Sequence, residues 1–312
     1  MKKFLLYLIR FSLFLVGIAF LIQFILGLVI SGKSLNEVDN LEQTSNINAT
    51  LVFLGSSRCW VQFDTSFFDS TFNQNSANIG VDGHSELAMA TLRLKDYLSR
   101  NKPPKFVILS FDPLMNGDSE TMNENLIHKD AFARYSFFPT EKNTPFVTYF
   151  KFNTAEKYIP LYSIFKYKLL DDCVKSIGAK KYDPSASHLV DRKWDTLHNP
   201  ITMDQKKYYF KSDKINAVTK ALSDLNKICI QNNCKLMCVQ TPVYKVIYEK
   251  TTFERTQLIC QKLNIPFLDL SRENFKDDIN LFYSPTHLNK YGVSKMNLFL
   301  KDNAQLNAFF KN

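Results

Sequence analysis

Four short apolar runs constrain this chain most: Thr50–Leu54, Lys105–Phe111, Lys235–Val239 and Pro266–Leu270. Continuous apolar runs of this length suit strands buried on both faces, as in a parallel sheet. Ser76–Gly80 reads as a further short strand. Between the strands the period changes. Leu87, Ala90, Leu94, Tyr97 and Leu98 mark a helix over Ser85–Arg100, and Ile215, Val218, Leu222, Leu225 and Cys229 mark another, with Ser212 as its N-cap. Lys245–Asn264 and Asn289–Asn303 are predicted as the remaining helices. Strands alternating with helices predict a parallel sheet covered on both faces, with reacting groups gathered at the strands' carboxyl ends.

The alternation lapses over 114–211. This stretch is rich in aromatics such as Tyr135, Phe138, Phe150, Tyr158 and Phe165. It reads as an insertion of short helices and loops within one domain over 50–312, its aromatics serving core and lid packing rather than sugar binding. Asp191 and Trp194 lie in a polar part of it and could face substrate.

Phe11 to Ile30 is a run of 20 residues without charge, with Gln23 as its one amide. As a helix it spans roughly 30 Å, the thickness of a bilayer's hydrocarbon core. Lys2, Lys3 and Arg10 precede it, so the N-terminus is expected in the cytoplasm and the remainder outside. A cleaved signal peptide ending near Val29-Ile30-Ser31 is the competing reading, but signal cores are typically about 7–15 residues. Residues 1–31 are therefore read as a signal anchor and 32–49, polar and without period, as a tether. The expected location is the cell membrane of a bacterial envelope, single-pass, with the C-terminal domain extracytoplasmic.

With 312 residues, 45% hydrophobic and 22% charged, the chain has ample material for a globular core. The net charge of +9 is scattered rather than clustered, which argues against nucleic acid as a partner. Six cysteines (Cys59, Cys173, Cys229, Cys234, Cys238, Cys260) form no C-x-x-C pair and no metal framework, and buried thiols are expected. No metal or other cofactor is called for.

The chemistry-bearing residues sit after strands. A serine hydroxyl is a poor nucleophile without a base in hydrogen-bond reach, and its tetrahedral intermediate needs donors aimed at the oxyanion. Ser57, in Gly55-Ser56-Ser57-Arg58 after the first strand, is the candidate nucleophile; His287, in Ser284-Pro285-Thr286-His287-Leu288-Asn289, is its candidate base. The backbone N–H groups of Ser57 and of Gly83, in Asn78-Ile79-Gly80-Val81-Asp82-Gly83, are candidate oxyanion donors. His84, His128, His188 and His198 lack partners at ligand spacing and receive no role.

These segments resemble the motifs of the SGNH (GDSL-type) hydrolase family. Gly55–Arg58 is similar to its first motif, Asn78–Gly83 to its second, and Ser284–His287 to its closing D-x-x-H, extended by Leu288, Asn289 and Gly292. The likeness covers about 50–113 and 212–304. It implies a three-layer, flavodoxin-like α/β fold, here behind one N-terminal transmembrane helix, and ester hydrolysis or acyl transfer through an acyl-serine. Membrane-anchored members of similar layout assist D-alanine transfer to wall polymers and acetylation of exopolysaccharides. An acylated glycan or wall polymer is the implied substrate and a membrane acyltransferase the implied partner.

Two positions depart from the pattern. Where the family's third motif, G-x-N-D, supplies an oxyanion asparagine, this chain has Ser110-Phe111-Asp112-Pro113. An ionised Asp112 only accepts hydrogen bonds, so it is expected as a distal acid or a structural cap. Ser284 replaces the aspartate that orients the histidine, leaving its hydroxyl, a backbone carbonyl, or Asp277 or Asp278 to hold the ring. The expectation is a Ser57–His287 dyad, with a non-catalytic polymer-binding or assembly module as the alternative.

Overall fold

The computed structural model describes residues 1–30, 44–115, 129–176, 183–198, 200, 209–271 and 274–311. Two compact units divide the chain: Met1–Gln43 with Met122–Tyr182, and Thr44–Thr121 with Asp183–Asn312.

The first unit holds α1 (Lys2–Ile30) and five short helices, α5 (Lys129–Phe132), α6 (Thr144–Tyr149), α7 (Thr154–Tyr158), α8 (Tyr162–Lys166) and α9 (Leu169–Ser176). The short helices share an aromatic core, where Phe132 stacks on Phe150 at 4.4 Å between ring centroids. Asn153 and Glu156 form a reciprocal capping box at the start of α7. The α1 helix is long and apolar enough to cross a membrane, and none of its apolar window is buried.

The second unit carries a five-stranded sheet, all parallel, in the order β2-β1-β3-β4-β5. Its strands are β1 (Leu51–Leu54), β2 (Ser76–Asn78), β3 (Phe106–Ser110), β4 (Lys235–Gln240) and β5 (Phe267–Asp269). They follow the apolar runs because alternate residues face two cores. Val52, Leu54, Val107, Leu109 and Cys238 pack against α4 (Leu87–Arg100), α10 (Ile215–Gln231) and α11 (Lys250–Lys262). Leu51, Phe53, Ile108, Met237 and Val239 pack against α2 (Ser57–Gln62), α3 (Thr65–Phe72), α12 (Lys290–Lys301) and α13 (Ala304–Lys311). The result is a three-layer α/β fold of flavodoxin-like strand order, whose topological switch point lies between β1 and β3.

Several boundaries differ from the sequence reading. Ser212 does not cap α10: a 3-10 turn over Ser212–Lys214 leads in, and neither Lys211 nor Lys214 makes a side-chain cap. Residues 245–249 precede α11 rather than opening it, since Lys245 N–H donates to Lys276 O and Ile247 N–H to Tyr244 O. Neither α13 nor the antiparallel pair β6 (Phe282–Ser284) and β7 (His287–Leu288) is anticipated by the sequence reading. Of the expected tether, 32–43 lie outside the described residues, and the rest is bound: Asn101 Oδ1 accepts from Ile47 N at 2.7 Å, and Tyr97 OH from Ala49 N at 2.8 Å. The expected insertion is divided, because 183–198 belongs to the sheet unit.

Candidate active site

The Ser57 position is built by a turn and a short helix. Ser56 accepts the Arg58 N–H and caps α2, which makes Ser57 the helix's first residue, at the carboxyl end of β1. Asn78 holds α2 from below: its Nδ2 donates to the carbonyls of Cys59 (3.0 Å), Trp60 (3.2 Å) and Phe63 (3.3 Å). Gly80 then passes so close that a Cβ there would meet Trp60 N at 2.9 Å and Cys59 Cβ at 3.0 Å. The strand-to-helix turn is thereby fixed in place, with little freedom for Ser57 to shift.

The histidine comes from the β6–β7 hairpin, where Ser284 and His287 are paired across the strands. Asn289 stabilises the hairpin's exit: Oδ1 caps α12 through Tyr291 and Gly292 N–H, and Nδ2 donates to Asn280 and Phe282 carbonyls. Ser57 Oγ lies 2.8 Å from His287 Nε2. On the other side of the ring, Nδ1 lies 2.8 Å from Ser284 Oγ and 3.0 Å from Thr286 Oγ1. Tyr283 stacks on the imidazole at 5.3 Å, and the Arg192 guanidinium lies 5.0 Å over the Tyr283 ring. Asp277 and Asp278 do not reach His287. Both are exposed, and Asp278 accepts from Asn280 N at 3.0 Å.

The electrostatics of this histidine are unusual. Burial, and then the positive charges of Arg58 and Arg192, push its pKa down from 6.5 to about 3. The imidazole is therefore neutral at physiological pH, ready to accept a proton but poorly placed to hold one. A carboxylate on Nδ1 would fix the proton there; the two hydroxyls, which can each donate or accept, leave both tautomers available.

Asp112 has a structural task, as a distal residue of the site. Its carboxylate pairs with Arg58 Nε at 2.8 Å, both side chains buried, and accepts Leu114 N–H at 2.8 Å. Arg58 goes further, donating to Thr286 O (3.0 Å), Thr241 O and Oγ1 (2.7 Å each) and Pro242 O (3.3 Å). One guanidinium so joins the ends of β1, β3 and β4 to the residue preceding His287. Arg58 lies within the first motif, whose residue types alone do not assign it this role. The signal was a cation and a carboxylate just past two strands that become neighbours, invisible until the strand order is known.

Gly83 lies in a tight turn with φ +69, three residues beyond Gly80, and Val81 N–H ties the segment to Gly55 O at 2.9 Å. Ser57 N–H belongs to the first turn of α2, where helix N–H groups lack intrahelical acceptors. Trp194 is buried against Tyr244, while Asp191 is exposed and pairs with Lys290 at 2.5 Å. His188 stacks on Trp60 at 5.0 Å, and His198 pairs with Asp195 on the surface; His128 lies outside the described residues. Cys59, Cys229, Cys234, Cys238 and Cys260 are buried free thiols, and the Cys173 side chain lies outside the described residues. Among the described residues no cluster of His, Cys, Asp or Glu is arranged to hold a metal ion.

No family model matches the chain, and no curated protein matches it. Among solved structures it is similar to a candidate acylhydrolase from Bacteroides fragilis NCTC 9343, at 11% identity and TM-score 0.36, covering 83% of this chain and 87% of that one. It is also similar to a GDSL-like lipase from Bacteroides thetaiotaomicron VPI-5482, at 11% identity and TM-score 0.38, covering 84% and 87%.

Proposed function

We propose that the sheet unit is a slow serine esterase or O-acyltransferase of SGNH type, working through a Ser57–His287 dyad. The observation that carries this reading is the 2.8 Å contact between Ser57 Oγ and His287 Nε2, with Nδ1 hydrogen-bonded on the opposite side. Ser57 Oγ attacks the ester carbonyl and Nε2 takes its proton. The tetrahedral oxyanion is received by the N–H groups of Ser57 and Gly83, since Asp112 is engaged by Arg58. Collapse expels the alcohol, which takes the proton from Nε2, and leaves the acyl group on Ser57. Water as the second nucleophile gives hydrolysis; a sugar hydroxyl gives transfer.

The substrate class follows from location. With α1 as an anchor and the sheet unit outside, the acyl donor or acceptor within reach is an acylated glycan or wall polymer. In its transferase form this reading calls for a membrane acyltransferase as donor.

Slowness follows from the base. The imidazolium formed in the transition state sits near Arg58 and Arg192 without a carboxylate on Nδ1. The same observation favours a second reading, a catalytically silent module for polymer binding or assembly.

The pH profile separates the two. Only the neutral imidazole can act as base, and its pKa lies near 3 rather than 6.5. For p-nitrophenyl acetate, kcat/KM is therefore expected to hold level from about pH 7.5 to about pH 4.5, and Ser57→Ala to abolish it. A fall centred near 6.5 would contradict the depressed base, and Ser57-independent turnover would favour the silent module. Stability does not hold level over the same range. The unfolded imidazole binds a proton below 6.5 and the folded one does not, so stability is lost as pH falls from 6.5 toward 3.

A further inference from the structure

We infer that the short helices over Lys129–Ser176 form a collar seated in the outer leaflet of the bilayer beside α1. This rests on the proposed reading of α1 as the membrane span. Gln23, the one amide of that span, accepts the Leu161 N–H through Oε1 at 2.8 Å. Gln23 lies seven residues before Ile30, the last residue of α1. At about 1.5 Å per residue, this bond sits roughly 10 Å inside the exported end of the helix. If Phe11–Ile30 fills the hydrocarbon, Leu161 is drawn below the membrane surface with it. A buried amide in hydrocarbon needs a partner, and the collar provides one.

The collar's surface fits that depth. Phe138, Tyr158, Ile159 and Phe165 are each more than half exposed, at 54%, 52%, 52% and 64%. Three of the four continue the apolar surface of α1 without a break. Phe20 meets Phe137 at 5.7 Å and Phe138 at 6.0 Å, and Phe138 meets Tyr158, the neighbour of Ile159, at 5.5 Å. A patch of this kind marks an interaction surface, and tyrosines are suited to the headgroup level.

Three polar side chains of the collar, Ser136, Glu156 and Ser163, are turned inward, while charged residues such as Asp130, Glu141, Lys151 and Lys168 are exposed. The Glu156 carboxylate, fully buried, accepts from Lys166 Nζ and Tyr167 OH at 2.5 Å each, and the Ser136 and Ser163 hydroxyls pair at 2.9 Å. Half-exposed Lys166 is held by the Glu156 carboxylate, with its ammonium 5.2 Å from the centre of the Tyr167 ring. A lipid bilayer is the occupant these features suit: apolar continuity with a span, an amide of that span satisfied by the collar, and paired internal polar groups.

The test uses the full chain in vesicles of phosphatidylcholine and phosphatidylglycerol. Phe138→Cys and Ile159→Cys carry an environment-sensitive nitrobenzoxadiazole label, with Ile18→Cys on α1, exposed Lys227→Cys on α10 and the unsubstituted chain as controls. Labels at 138 and 159 are expected to be quenched by a nitroxide near the top of the lipid acyl chain, and quenched several-fold less by aqueous iodide than the label at 227. If 18 is embedded while 138 and 159 behave like 227, the collar is overturned and the anchor stands. If 18 is also aqueous, the anchor falls and the collar with it. Shielding of 138 and 159 from both quenchers would show a protein occupant and overturn the lipid assignment.

Discussion

Ser284→Asp is expected to raise ester turnover by about 10²–10⁴-fold. The upper figure is what removal of the aspartate's charge costs in serine protease triads. Ser284 Oγ already lies 2.8 Å from His287 Nδ1, so the backbone needs no change to bring a carboxylate into contact. A carboxylate there only accepts, which fixes the proton on Nδ1 and leaves Nε2 free to take the Ser57 proton. Its negative charge also opposes Arg58 and Arg192, raising the imidazole pKa from about 3 toward the neutral range where a general base works best. Two readouts must move together: kcat rises, and the acid limb of the pH profile shifts upward. Ser284→Asn, isosteric but uncharged, is expected to recover little of the rate. Unchanged or lower turnover in a folded Ser284→Asp protein would mean that the missing carboxylate is not what limits the site.

Arg58→Met is expected to cost about 3–5 kcal/mol of stability, the usual consequence of leaving one member of a buried ion pair without its partner. The Asp112 carboxylate would lose its cation, and the carbonyls of Thr241, Pro242 and Thr286 would lose a shared donor. In a thermal melt of the full chain this corresponds to a fall in Tm on the order of 10 °C. Arg58→Met with Asp112→Leu is expected to recover much of that loss, because the buried charge is then gone. Esterase activity should not recover with it, since the hydrogen bond to Thr286 O that positions the histidine loop is absent in both variants. Recovery of activity alongside stability would show that Arg58 merely neutralises Asp112.

The sheet was legible because its strands are buried on both sides. Val52, Phe53, Val107, Ile108, Met237 and Val239 each face one of two cores, which forces the continuous apolar runs that sequence reading detects. The long helix α10 was legible from its stripe, but its start was not. The 3-10 turn over Ser212–Lys214 uses no side-chain cap, so the Ser212 signal pointed to a hydrogen bond that does not form. Hairpin β6–β7 is too short for periodicity to show, although it brings Ser284 opposite His287. The positions of Ser57 and His287 could be read as motifs; the Arg58–Asp112 pair could not, because only the adjacency of β1 and β3 brings those two together. The depressed base was equally hidden, as it depends on burial and on Arg192, an exposed residue in a segment without periodicity.

The central claim is that Ser57 is a nucleophile activated by His287. The direct measurement is fluorophosphonate labelling of the detergent-solubilised full chain, read by intact mass beside Ser57→Ala and His287→Ala. One adduct on the wild-type chain, absent from both variants, is the result this structure predicts. A folded chain that takes no adduct, either as wild type or as Ser284→Asp, would contradict it and leave the sheet unit as a binding module.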